Sequence, residues 1–180
     1  MSDPRVVFAF FGHPGAGKST LCLRFGELHG VPALDTDLFM TPEEREAVEA
    51  GRYTQAMRLA NIDRYCARAR ELLRAHPAVA LADGLPNAES RERLRSELGG
   101  ARARVVFVLV ETPPDLWRRR LQARGANTVR VGVAEAEAYV REHWEPDEGA
   151  LQCERIENGE DANAVDAALR GLFERHVAGR

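Results

Sequence analysis

The segment Gly12-His13-Pro14-Gly15-Ala16-Gly17-Lys18-Ser19 matches the spacing G-x-x-x-x-G-K-[ST]. Glycines at this spacing let consecutive backbone N–H groups converge on phosphate oxygens, and a helix beginning at the lysine turns its positive end toward the same anion. Lys18 adds a mobile point charge. Ser19 offers a hydroxyl to a Mg²⁺ ion that bridges terminal phosphates, and Thr20 follows it in the first helical turn. Gly12, Pro14, Gly15, Ala16, Gly17, Lys18, Ser19 and Thr20 are therefore the candidate nucleotide-binding residues. Lys18 is the single lysine among 25 basic residues. Where Lys and Arg serve equally on a surface, drift converts one to the other, so the survivor marks a position where a planar guanidinium cannot replace a compact ammonium.

A phosphate loop alone does not separate a kinase from a GTPase or a motor ATPase, so the other polar residues must decide. Asp35 and Asp37 come first. Alternate residues on an extended segment point the same way, which would put both carboxylates at the carboxyl end of the second strand, beside the phosphate loop. One can organise metal-bound water while the other accepts a proton from an attacking hydroxyl. The plainer reading is a helix cap followed by a solvated turn Asp. Asp83, after an apolar run, has the setting of an acid that holds metal water, with a simple Asp-Gly turn as the alternative. Arg120 and Arg124 lie four apart on a predicted helix and share a face, with Arg118, Arg119 and Arg130 nearby. Cations delivered from a helix and the polar loop after it can close over a transferred phosphoryl group. Arg120 and Arg124 are read in that role, and Arg118 and Arg119 as a solvated charge run. Asn158-Gly159 forms either a turn against an adenine ring or only a turn. His13 occupies a variable loop position and is read as filler, while Trp117 and Trp144 are read as packing residues.

These residues must be placed by alternating strands and helices. Arg5 to Phe11 reads as a buried strand leading into the glycine-rich turn, and Leu21, Phe25 and Leu28 give the next segment a helical spacing. A second strand around Pro32 to Leu34 ends in Asp35-Thr36-Asp37. Pro42 to Ala75 is charged and helix-forming, with a break at Gly51. Ala78 to Ala82 is a third strand, followed by a helix near Glu89 to Leu98. Arg104 to Val110 is a fourth strand, and Pro113-Pro114 opens a helix through Arg124. A helix near Ala134 to Trp144, a strand near Ala150 to Ile156 and a helix from about Asp161 to His176 complete the pattern. It predicts an α/β fold with a mostly parallel sheet, helices on both faces and ligands at the carboxyl ends of the strands.

At 180 residues, 44% hydrophobic and 29% charged, the chain is expected to form one domain spanning residues 1–180. A net charge of -3 gives no global field that demands nucleic acid or a membrane. The run Val6 to Phe11 is too short to cross a bilayer and has no flanks of a signal peptide, so a cytoplasmic location is expected. Cys22, Cys66 and Cys153 are odd in number and widely spaced, which suggests free thiols rather than disulfides or a zinc site.

FFGHPGAGKST, the DTD at Asp35 to Asp37, ALADGLPNAESRERL after the third strand and LWRRRLQARG near the arginines resemble the small P-loop kinase group. That group includes the polynucleotide 5'-hydroxyl kinase domain, gluconate and shikimate kinases, adenylylsulfate kinase and zeta toxins. The resemblance runs along almost the whole chain, with the phosphate loop its most specific part. It implies a three-layer P-loop fold with a five-stranded parallel sheet of order 2-3-1-4-5. It also implies a helical acceptor region between Thr41 and Ala75, a short lid over about residues 118–135, and ATP with Mg²⁺ as cofactors. Asp37 matches the position of the catalytic base in the polynucleotide kinase pattern, and Arg120 and Arg124 match its lid arginines. One departure argues against a nucleic-acid end as acceptor: where that pattern carries an arginine three residues beyond the base, this chain has Met40 within an apolar Leu38-Phe39-Met40 stretch. Gly51-Arg52-Tyr53-Thr54 is similar to the acceptor side of gluconate-type kinases, so Tyr53 joins Asp37 and Arg130 as acceptor-binding candidates. Ser19, Asp35 and Asp83 are the metal-binding candidates. The expected activity is ATP- and Mg²⁺-dependent phosphorylation of a hydroxyl on a small molecule such as a sugar acid, nucleoside or antibiotic-like compound. The alternatives are a nucleic-acid 5'-hydroxyl kinase and a regulatory nucleotide-binding ATPase. The sequence specifies neither the acceptor nor an oligomeric state.

Overall fold

A computed structural model of the chain describes residues 5–99, 103–123, 132–146 and 152–178. The apolar run Arg5–Phe11 forms the central strand β1, which pairs in parallel with β3 (Ala78–Ala82) on one side and β4 (Ala103–Glu111) on the other. Phe8 stands in register with Ala80 on one neighbour and Val106 on the other. A short β2 (Ala33–Asp35) extends the sheet beyond β3, and β5 (Glu154–Glu157) extends it beyond β4. The sheet is five-stranded, all parallel, with order β2-β3-β1-β4-β5. A strand buried on both faces has no polar side to present, which is why β1 and β3 read as uninterrupted apolar runs.

Alternation along β1 divides the core into two layers. Val6, Phe8 and Phe10 face α1 (Lys18–His29) and α7 (Ala162–Phe173), meeting Leu21, Phe25, Leu169 and Leu172. Val7, Ala9 and Phe11 face α3 (Gln55–Leu72) and α4 (Ala88–Gly99), meeting Ile62, Tyr65, Leu94 and Leu98. From β3, Val79 and Leu81 turn to this second face, whereas Ala78, Ala80 and Ala82 face α1.

Local signals set the helix boundaries. Thr41 and Glu44 form a reciprocal capping box at the start of α2 (Pro42–Glu49), with Pro42 in the first turn. Thr54 caps α3, Asp161 caps α7, and Gly30 closes α1 in the left-handed conformation at φ 62°. The remaining helices are α5 (Pro114–Ala123) and α6 (Val133–His143). No helix among the described residues is long and apolar enough to cross a membrane.

The elements follow the predicted order, with three differences. The last strand occupies Glu154–Glu157, later and shorter than the span near 150–156, because its pairing with β4 runs only from Val108 to Glu111. The final α-helix stops at Phe173 and continues as a wider π-turn over Glu174–Ala178. The segment after Asp35 is not extended: Thr36–Phe39 forms a 3₁₀ turn, so the strand alternation invoked for Asp35 and Asp37 does not apply there.

Candidate active site

The loop between β1 and α1 takes conformations that only glycine adopts readily. Gly12, Gly15 and Gly17 have φ values of 150°, 85° and 89°. A Cβ on Gly12 would lie 2.6 Å from the Val110 carbonyl oxygen, one on Gly15 would lie 2.6 Å from Leu121 Cδ2, and one on Gly17 would lie 2.2 Å from Asn158 Nδ2. The loop is thus gripped from outside by β4, α5 and the residues after β5. Lys18 folds back over it, its Nζ donating to the His13 carbonyl at 2.9 Å.

Side chains from distant parts of the chain fix the loop's carbonyls. Asn158 is buried, and its Nδ2 donates to the Ala16 carbonyl at 2.7 Å, where the Thr112 hydroxyl also donates at 2.9 Å. Trp117 Nε1 donates to the Pro14 carbonyl at 2.6 Å. Trp144 meets the His13 ring edge to face, with centroids 4.5 Å apart. Both tryptophans pack as expected, and each also touches the phosphate loop. Burial and the neighbouring Lys18 charge hold the His13 pKa below its ordinary value. Arg120 donates to the carbonyls of Asn158 at 3.0 Å and Gly159 at 3.1 Å, which makes it the brace for the residue that braces Ala16. Its Nη1 lies 3.9 Å from where a Gly17 Cβ would stand. Asn158 is therefore held against the loop backbone. Arg124 and Arg130 lie outside the described residues.

Asp35 and Asp37 come together by a route other than strand alternation. Asp35 ends β2 and caps the 3₁₀ turn, its Oδ1 accepting from the Asp37 backbone N–H at 3.2 Å. The turn leaves Asp37 exposed at the strand end and buries Thr36, whose hydroxyl donates to the Ala82 carbonyl at 2.7 Å. The cap geometry belongs to Asp35, but the corner it occupies also faces α1. The Cys22 thiol lies 3.9 Å from the Leu34 carbonyl, and its pKa is pushed up to about 12, first by burial and then by the Asp35 charge. Cys22 stands one turn along α1 from Ser19, so Ser19 and Asp35 border the same corner. A hydroxyl and a carboxylate suit a hard cation such as Mg²⁺, which keeps several waters and phosphate oxygens in its shell. No group of three His, Cys, Asp or Glu residues among the described residues is placed to hold a metal ion by itself.

Asp83 follows directly on β3, whose Ala82 is in register with Asp35 on one side and Phe10 on the other, and its backbone N–H donates to the Phe10 carbonyl at 3.1 Å. Its Oδ2 accepts from Tyr65 Oη at 2.6 Å and its Oδ1 from the Gly84 N–H at 2.5 Å. Around it stand Tyr53 and Tyr139, whose pKa values are raised chiefly by burial and further by the Asp83 charge. Arg58 lies in the same group, with its Cζ 5.1 Å from the Tyr53 ring centroid and its Nη2 donating to Tyr139 Oη at 2.9 Å. Tyr53, named on the acceptor side in the sequence reading, thus stands against Arg58 and in the field of Asp83.

A family model described as an AAA domain matches residues 7–145. The chain belongs to the AAA-domain family. Its phosphate loop and Asp35–Asp37 turn fall within the matched span, and β5 lies beyond it. An adenylate kinase from Synechococcus sp. (strain RCC307) is 33% identical over 124 residues, covering 64% of this chain and 67% of that protein. Among solved structures, a gluconokinase from Sinorhizobium meliloti 1021 superposes with a TM-score of 0.71 at 19% identity, covering 96% of this chain and 95% of that one. An unliganded sugar kinase from Janibacter sp. HTCC2649 gives a TM-score of 0.72 at 16% identity, covering 95% and 93%. The fold of this AAA-domain chain is therefore that of the small P-loop kinases.

Sequence reasoning missed the α3 residues that organise the site. Arg58, Asn61, Ile62 and Tyr65 recur at one-turn spacing on the inner face of α3. Asn61 Nδ2 donates to the Thr36 carbonyl at 3.2 Å, Tyr65 holds Asp83, and Arg64 alongside donates to the Phe39 carbonyl at 3.0 Å and pairs with Glu44. The available signal was a stripe of polar residues at helical period on a face that must be buried.

Proposed function

We propose that this AAA-domain protein is an ATP- and Mg²⁺-dependent kinase that transfers the γ-phosphoryl group of ATP to a hydroxyl of a small-molecule acceptor. The reading is carried by one juxtaposition: a triphosphate-binding loop gripped on three sides, with an exposed carboxylate, Asp37, on a separately anchored turn at the end of the strand next but one. A regulatory nucleotide switch has no need of that second, independently fixed carboxylate.

In this reading the loop amides from Gly15 to Ser19 and the Lys18 ammonium hold the β- and γ-phosphates. Ser19 and Asp35 would hold Mg²⁺, directly or through water, and the ion would supply positive charge against the phosphate tail. Asp37 accepts the proton of the acceptor hydroxyl as the acceptor oxygen bonds to the γ-phosphorus and the bond from that phosphorus to the β-phosphate oxygen breaks. Arg120 contributes a fixed positive charge behind Gly17, with Arg124 assigned to the same task on the transferred group. Exposed Leu38 and half-buried Met40, where an acceptor phosphate would call for a cation, favour a small acceptor over a nucleic-acid end.

Incubation of the protein with γ-labelled ATP, Mg²⁺ and a panel of sugars, sugar acids, nucleosides, antibiotics and oligonucleotides tests this. Label should appear on a small hydroxyl compound and vanish with Asp37→Asn. ATP binding with no labelled product from any panel member would remove the assignment.

A further inference from the structure

Trp144 is the first residue after α6, and it touches the phosphate loop from a side that no other hold described above uses. Its ring lies against Phe11, with centroids 6.0 Å apart and planes 15° apart, and meets the His13 ring at 88° with centroids 4.5 Å apart. Phe11 ends β1 and His13 opens the loop, so one indole rests on both sides of Gly12. Gly12 has a φ of 150°, in a region that glycine enters freely, and is the point about which the loop can turn relative to the strand. The other holds come from β4, α5 and the residues that follow β4 and β5. Trp144 comes instead from the layer of α3 and α4.

The His13 carbonyl accepts from the Ala16 N–H at 3.1 Å and from Lys18 Nζ at 2.9 Å, so a movement of His13 moves the acceptor that holds Lys18. The indole is itself fixed. Glu145, next to it, donates its N–H to the Pro86 carbonyl at 2.8 Å, accepts from the Ala88 N–H at 2.7 Å through Oε2, and accepts from Arg91 at its own carbonyl. Arg91 Cζ lies 5.6 Å from the Trp144 ring centroid. The helix before it buries only Ala136 outright, so this clip, rather than an apolar face, sets where the end of α6 lies. Burial and the Lys18 charge keep the His13 ring neutral at pH 7.5, so it meets the indole as one uncharged ring on another.

We propose that Trp144 is a positioning residue for the nucleotide: resting on Phe11 and His13 together, it fixes the turn at Gly12 and, through the His13 carbonyl, places Lys18 for the triphosphate. The ring acts through His13 rather than on the nucleotide. The inference rests on the nucleotide-binding part of the reading above and adds a residue that lies outside the phosphate-loop sequence. If Trp144 only filled space beside Phe11 and Arg91, its loss would weaken ATP binding equally with and without the His13 ring. Acting through His13, its loss matters only while that ring is present.

The test is a double-variant cycle on the affinity for ATP with Mg²⁺, measured by calorimetry at pH 7.5 on wild type, Trp144→Leu, His13→Ala and the two combined. Trp144→Phe is the conservative variant, and thermal unfolding checks that each protein is folded. Leucine keeps apolar bulk on Phe11 but offers His13 no ring. Trp144→Leu and His13→Ala should each weaken binding by about 3- to 10-fold, the worth of one aromatic pair of this geometry. In the His13→Ala background Trp144→Leu should cost less than about a further twofold. Trp144→Phe, which keeps a ring at this position, should lose less than Trp144→Leu. Affinity within about twofold of wild type in either single variant, or an equal Trp144→Leu loss with and without His13, would overturn the inference while leaving nucleotide binding in place. Absence of ATP binding by the wild-type protein would instead overturn the nucleotide reading, and this inference with it.

Discussion

Asn61 Nδ2 donates to the backbone carbonyl of Thr36 at 3.2 Å, and with Arg64, which donates to the Phe39 carbonyl at 3.0 Å, it ties the turn that presents Asp37 to α3. The turn is pinned on its other side by the Thr36 hydroxyl on Ala82, so its position is set by β3 and α3 together rather than by β2, which has only three residues. Asn61 is 3% exposed, so it has no solvent to exchange partners with. Replacing Asn61 by Ala leaves the Thr36 carbonyl without its donor, which costs about 1–3 kcal/mol. For a chain of this size that is a fall in Tm of roughly 2–4 °C per kcal/mol. Thermal unfolding should register the loss, and kcat should fall further than stability alone explains because Asp37 loses its fixed position. A variant with wild-type kcat would show that Thr36 and β3 suffice.

Lys18→Ala and Asp37→Asn separate binding from proton acceptance. Lys18 is held over the loop by the His13 carbonyl, so its ammonium is already positioned before nucleotide arrives. Removing it should reduce turnover by about a thousandfold or more with an unchanged far-ultraviolet circular dichroism spectrum. Asp37 is exposed, so Asn at this position should fold normally and bind ATP normally while turnover falls by a similar factor. Activity of Asp37→Asn close to wild type would remove Asp37 as the base.

Two glycines with similar backbone strain should behave differently. Gly17 and Gly30 both have positive φ, at 89° and 62°, so alanine costs about 1–2 kcal/mol of backbone strain at either. A Cβ at Gly30 meets nothing within 4 Å, whereas one at Gly17 would lie 2.2 Å from Asn158 Nδ2. Gly30→Ala should therefore lower Tm modestly and keep full ATP affinity. Gly17→Ala must also displace Asn158 from Ala16, and ATP affinity measured by calorimetry should fall at least about tenfold. Equal ATP affinity in the two variants would show that the Asn158 brace does not shape the loop.

The parts of this site that were legible in the sequence are those whose signals are local. The phosphate loop is a contiguous string, and β1, β3 and β4 are apolar runs of strand length, so both could be read without knowing what packs on them. Asp35 and Asp37 follow the plainer of the two readings, a cap followed by an exposed Asp: an Asp two residues before another polar residue at a strand end is the signature of a capped turn, and the cap prevails because Thr36 finds a partner in Ala82. Tyr65 was illegible as the partner of Asp83, and Arg58 as the partner of Tyr139. Those meetings depend on how α3 packs over the sheet and against α6, between positions 18 and 81 residues apart, and nothing in the local pattern distinguishes these residues from those that surround them.

Acidification should weaken the fold through two half-buried histidines. His13 and His29 both have pKa values held below the ordinary 6.5, each first by burial, so the folded protein binds protons less readily than the unfolded chain. Their contribution is complete above pH 6.5 and is lost as pH falls through the folded values. Asp63, Glu154 and Asp166 are shifted downward, so what they contribute is lost only below about pH 4, in a separate window. Tm measured between about pH 7.5 and 5 should decline, and the slope should flatten in a His13→Gln, His29→Gln double variant. An identical slope in that variant would assign the decline to other groups.

Arg91 ties the residues after Asp83 to those after α6, and its replacement by Lys should show how much that tie matters. The side chain is 2% exposed. It donates to the carbonyls of Leu85 and Pro86, both at 3.1 Å, and of Glu145 at 2.5 Å. Its Cζ also lies 5.5 Å from the Phe11 ring centroid and 5.6 Å from that of Trp144. Leu85 has a φ of 42°, a conformation that a branched side chain adopts only when its surroundings impose it, and the bond from Arg91 to its carbonyl is part of that imposition. A lysine keeps the charge but cannot span three carbonyls in one plane or present a flat guanidinium to the stacked Phe11 and Trp144 rings. Arg91→Lys should therefore lose about 2–4 kcal/mol of stability in denaturant titration, by leaving buried carbonyls without donors. A stability loss below about 0.5 kcal/mol, the range of ordinary surface substitutions, would show that Leu85 holds its conformation without Arg91.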